Sequence, residues 1–163
     1  MKGNPMPQHP LPLTGIVHEN LSILMMFAFS RQPLLGLRKK FVGNWQQLDH
    51  VLFTIAEQRA IRACLELAIL MRHYDDIVAP TRLPDDGRPR ISFGRLFTEG
   101  KPEKTISHRE VSNKIIHSSR YEWDFSDPEI PALVCIAQDT QKWDRAVINV
   151  VHIAAYCGTL TRI

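Results

Sequence analysis

The chain is poor in the features that usually announce a chemistry. Its 163 residues hold three cysteines, Cys64, Cys135 and Cys157, with no C-x-x-C pair and each among apolar neighbours. This argues against a disulfide framework or a zinc knuckle. G-x-x-x-x-G-K-[ST], G-x-G-x-x-G, G-x-S-x-G and H-E-x-x-H are all missing, and with them go the phosphate-cradling loops, the nucleophile elbow and the zinc-protease helix. The histidines at 9, 18, 50, 73, 108, 117 and 152 never fall at i, i+3 or i+4, and no Glu-x-x-His pair occurs, so no metal and no cofactor is expected. The longest apolar stretch, Leu21 to Phe29, is closed by Arg31. It is about half of the roughly 20 residues a membrane span needs, so no membrane partner is expected either.

What is present fits one folded domain. Hydrophobic residues make up 44% of the chain, and a chain of this size buries roughly two-thirds of its unfolded surface. The net charge of +3, from 20 basic against 17 acidic residues, permits a polyanionic partner without requiring one. Sparse, unpaired cysteines fit a reducing, cytoplasmic setting. Residues 1–15, with prolines at 5, 7, 10 and 12, read as an extended arm; residues 16–163 read as a single helical domain.

Apolar spacing predicts a helix from His18 to Ser30, stopped before Pro33, and an exposed basic connection over Leu34 to Lys40. A long central helix is expected from Asn44 to Tyr74, with Ala56, Ala60, Ala63, Cys64, Leu67, Ala68 and Met71 on its buried stripe. Ile77 to Arg90 is dense in proline, aspartate and glycine and reads as a loop, and Ser92 to Phe97 as a short helical turn. Ser107-His108-Arg109-Glu110 is a capping box that opens a helix running to about His117. Tyr121 to Phe125 and Ala132 to Ala137 fit a hairpin, and Gln141 to Tyr156 a last helix ended by Gly158. The expected fold class is therefore mainly α, a helical bundle with a long central helix and one small β-hairpin before the last helix.

The informative segment is Ser107 to Tyr121. On a helix Arg109, Asn113 and His117 stand at i, i+4 and i+8, drifting about 40° per step, so they share one polar stripe. An arginine that grips phosphate, an amide that orients and an imidazole that moves a proton suit phosphodiester chemistry. Lys114 and Arg120 are candidate substrate-binding cations beside them.

Asn113-Lys-Ile-Ile-His117 resembles the end of the R-N-x-x-x-H motif of HEPN domains, small helical bundles that often dimerise and in many members cut RNA without a metal. The resemblance implies a homodimer with His117 as general acid/base, Asn113 orienting it and an arginine on the phosphate. The family places that arginine directly before the asparagine, where this chain has Ser112. Arg109 and Arg120 are the candidates for its role, and a degenerate member is expected. The function that follows is RNA association, with metal-independent endoribonuclease activity if catalytic. The alternative is a non-enzymatic interaction, inhibitor or immunity factor that meets a protein partner through the N-terminal arm or the central helix.

Overall fold

The computed structural model describes residues 13–77 and 92–160. Residues 1–12 of the expected 1–15 arm and most of the Ile77-to-Arg90 loop lie outside the described residues, and the last three residues of that arm are helical.

The first helix, α1 (Leu13–Arg38), buries Val17, Leu24, Phe27 and Ala28 along one stripe. It passes through Pro33 instead of stopping there. Pro33 lies where the helix is exposed, so water can serve the backbone group that the proline ring cannot. By length and composition α1 could cross a membrane, yet its inward stripe belongs to the core. Asn20, buried on the same stripe, donates to Glu66 at 3.0 Å. The chain then turns through a 3-10 segment (Gly43–Trp45), a helical turn (Gln47–Asp49) and a π-helical stretch (His50–Ile55) into α2 (Ala56–Ile77).

The small-residue stripe expected on the central helix is present and is used within the chain. Ala60, Ala63, Cys64, Leu67, Ala68 and Met71 are all buried, and α2 packs against α1 and against α3 (His108–Ile116). Alanines at these contacts let the helix axes approach closely. The last helix, α4 (Val150–Leu160), rests on α1 and α2.

The expected helical bundle is corrected by a five-stranded antiparallel sheet, which makes the fold α+β. Its strands are β1 (Gly94–Phe97), β2 (Lys104–Ile106), β3 (Ser118–Asp124), β4 (Ala132–Ala137) and β5 (Arg145–Asn149), in spatial order β2-β1-β5-β4-β3. The hairpin of β3 and β4 was legible. The segment expected as a helical turn at Ser92 to Phe97 contains β1, and the first part of the expected last helix, Gln141 onward, is turn and then β5. Gly158 lies inside α4, which continues to Leu160.

Register sorts the strands into two faces. Trp123, Leu133, Ile148, Gly94 and Ile106 lie side by side across the sheet, and Leu133, Ile148 and Ile106 are buried in the core. Alternation puts Arg120, Ile136, Arg145 and Phe97 on the opposite face, again as one row. At Gly94 the neighbouring strand comes so close that a Cβ would sit 2.2 Å from the Val147 carbonyl oxygen. Glycine is what permits β1 to join β5 there.

Candidate nucleic-acid interface

Helix α3 starts with the capping box read from the sequence. The Glu110 amide donates to Ser107 Oγ, and the Ser107 amide donates to the Glu110 carboxylate at 3.0 Å. Burial raises the Glu110 carboxyl, but hydrogen bonds from Lys104 and Ser107 outweigh it and hold the group below its usual value. Val111, Ser112 and Ile115 face the core. Ser112 is fully buried and its hydroxyl donates to the His108 carbonyl at 3.2 Å. The position before Asn113 therefore looks inward, where an arginine has no room.

Asn113, Lys114 and His117 come together at the C-terminal end of α3. They line a shallow depression of about 400 Å³ with Gln138, Asp139, Lys142 and Trp143 from the β4–β5 turn, where Lys142 faces Asp139 at 3.8 Å. The His117 amide donates to the Asn113 carbonyl at 3.0 Å, and the exposed imidazole stands at the helix C-cap. Lys114 Nζ lies 4.5 Å from the centre of the Trp143 ring, a cation–π contact. Burial lowers the Lys114 ammonium below the usual lysine value; the Glu110 charge opposes this and the Lys104 charge adds to it.

Arg109 is not part of that depression. It points to the other end of the helix and pairs with Asp76 at 3.1 Å. Arg120 lies on β3, on the outer sheet face, 2.8 Å from Glu122. The arginine that touches Asn113 is Arg72 of α2, whose guanidinium donates to Asn113 Oδ1 and lies 3.9 Å from Asp76. Forty-one residues separate Arg72 from Asn113, so no local spacing announces the pair.

The outer face of the sheet continues the basic surface. Arg145 and Arg95 both stand over the Phe97 ring, with guanidinium carbons 4.6 and 5.8 Å from its centre. Arg95 also reaches Glu103 at 3.5 Å. Arg145 forms no ion pair among the described residues. The row Arg120–Ile136–Arg145–Phe97 borders the turn that supplies Lys142 and Trp143, so Arg120, Arg145 and the His117 depression share one end of the sheet. A second depression, of about 390 Å³, lies at the opposite end and carries Arg95 and His152 beside Asp124 and Asp127.

Compared with known proteins, the chain matches no family model, no curated protein and no solved structure. The site therefore rests on geometry.

A buried polar cluster centred on Asp75 has no signal in the local sequence. Asp75 is 2% exposed. It accepts the Tyr156 hydroxyl at 2.7 Å and faces His108 Nε2 at 3.1 Å. The His108 ring stacks on Tyr156 with centres 4.8 Å apart, and Phe93 meets both rings edge-on. Burial, with the Asp75 hydrogen bond adding to it, pushes the Tyr156 phenol well above its usual value. This cluster ties α2, α3 and α4 together at the N-terminal end of α3, away from the His117 depression. The three cysteines are free and buried, and burial pushes the Cys135 and Cys157 thiols up to about 12, which keeps them unreactive.

Proposed function

We propose that the protein is a cytoplasmic RNA-associated factor that acts as a homodimer and lays single-stranded RNA across the outer sheet face toward His117. The observation that carries this reading is Arg145 over Phe97 at the basic end of an open antiparallel sheet. An aromatic ring offers a base a stacking surface, and arginine beside it supplies charge for the backbone. Arg120, paired with Glu122, and Lys142, facing Asp139, flank it. The reading keeps the chemistry of the HEPN-like motif and gives up its architecture.

Where the bound strand reaches the depression, cleavage needs no metal. His117 takes the proton of a ribose 2′-hydroxyl, and that oxygen attacks the adjacent phosphorus. The bond to the 5′-oxygen breaks, leaving a 2′,3′-cyclic phosphate. Lys114, made more acidic by burial, gives the leaving oxygen its proton, and Asn113 holds the strand beside the imidazole. Arg72 takes the place against Asn113 that the sequence left vacant at Ser112.

The test incubates labelled single-stranded RNA with the protein in EDTA and follows products on a gel, with light scattering to establish the dimer. Cleavage to cyclic-phosphate ends that His117→Ala removes, in a variant that still binds RNA, supports the full reading. Binding without cleavage by either protein leaves a degenerate RNA-binding factor. Neither binding nor cleavage overturns the reading in favour of the protein-interaction alternative, for which deletion of residues 1–15 is the next probe.

A further inference from the structure

The far end of the helical layer carries a surface of different character. From Arg31 through Leu48 the chain holds four cations, Arg31, Arg38, Lys39 and Lys40, and no carboxylate. Asp49, the first acid after them, is clamped by Arg38 through bonds of 2.5 and 2.9 Å. The Arg38 hydrogen bond is the main reason that the Asp49 carboxyl sits below its usual value. Lys39 and Lys40 are exposed and form no ion pair among the described residues.

Large apolar side chains stand among these cations. Leu35 and Leu37 are exposed on the last turns of α1, and Val42 and Trp45 at the turn beyond are 67% and 65% exposed. Gly43, at φ 57°, makes the reversal that brings them together, and the Trp45 amide closes it on the Val42 carbonyl at 3.1 Å. A left-handed position without side chain is what lets the turn be this tight. The result is a tip of chain on which an exposed indole and valine follow two exposed lysines within six residues.

We propose that this tip docks on an anionic lipid bilayer, with Trp45 and Val42 at the interface and Lys39 and Lys40 on the headgroups. Indole rings favour the headgroup level, and aliphatic groups beside them gain by leaving water. Exposed lysines close to an anionic surface add attraction that falls with salt. The uncompensated positive charge decides for an anionic bilayer over a second copy of this chain, because two such tips would repel. The docking is peripheral: α1 keeps its core contacts, and nothing crosses the bilayer. It lies apart from the residues assigned to RNA and does not depend on that assignment.

The test uses the full chain with vesicles of phosphatidylcholine alone or with phosphatidylserine, free of RNA. Sedimentation with the anionic vesicles only, loss of about tenfold or more in partitioning for Lys39→Glu/Lys40→Glu, and quenching of tryptophan emission by brominated acyl chains that disappears in Trp45→Phe are expected. Circular dichroism confirms that these exposed changes leave the fold intact. Partitioning that ignores the lysine changes, or quenching that persists in Trp45→Phe, overturns the proposal. A dimer that Trp45→Ala splits without any vesicle binding overturns it in favour of a second copy.

Discussion

Asp75 shows how much one buried side chain can hold. Its carboxyl meets a hydroxyl from α4 and an imidazole from α3 while itself belonging to α2, so one residue fixes three helices. Asp75→Ala is expected to lower stability by roughly 1–3 kcal/mol, the cost of removing the acceptor from buried polar groups. Urea unfolding with an unchanged slope would report it. A loss near zero would mean that the cluster contributes packing alone. In the sequence Asp75 looks the same as Asp76 beside it, because the distinction lies in which side of α2 meets Tyr156, eighty-one residues away. Asn113 and His117 were legible for the opposite reason: their spacing is local, and one helical stripe brings both to one depression. Arg72, the third member of the group, was not.

End chemistry was a good guide where two groups answer each other and a poor one where a single residue stands alone, since α1 runs through Pro33 and α4 through Gly158. Ser107 and Glu110 announced α3, and its boundaries followed. The box also gives α3 a pH dependence. The folded carboxyl of Glu110 titrates below its ordinary value of 4.5, so its contribution is complete above that pH and is lost as pH falls through the lower folded value. Glu110→Gln is therefore expected to narrow the stability gap between the two proteins as a pH 7 to pH 3 series of melts proceeds, and an unchanging gap would contradict it. Strand β5 had no such mark. Ala146, Val147, Ile148, Val150 and Val151 satisfy a period of two and a helical stripe almost equally, and the chain passes from β5 into α4 without a turn. Once β5 was taken as helix, its ladders with β1 and β4 were lost. Reading Ser92 to Phe97 as a helical turn removed the ladder between β1 and β2 as well, and a five-stranded sheet shrank to a hairpin.

At the scale of the whole molecule the polar functions separate. The helices and the inner sheet face enclose the core, and the outer face is left to Arg95, Arg120, Arg145 and Phe97. Arg120, Arg145 and His117 stand at one end of that face, and Arg95 with Asp124 and Asp127 at the other. The exposed turn after α1 is a separate feature of the helical layer. The proposed function puts RNA on the end of the sheet that carries Arg145. Fluorescence anisotropy of a labelled single-stranded RNA, titrated with wild type and Arg145→Ala across a series of salt concentrations, tests this. Salt-dependent, saturable binding is expected, with a log–log slope that falls by about 1 when the arginine is removed, as one phosphate contact is lost. Binding with an identical slope in both proteins, or no binding at low salt, would contradict it.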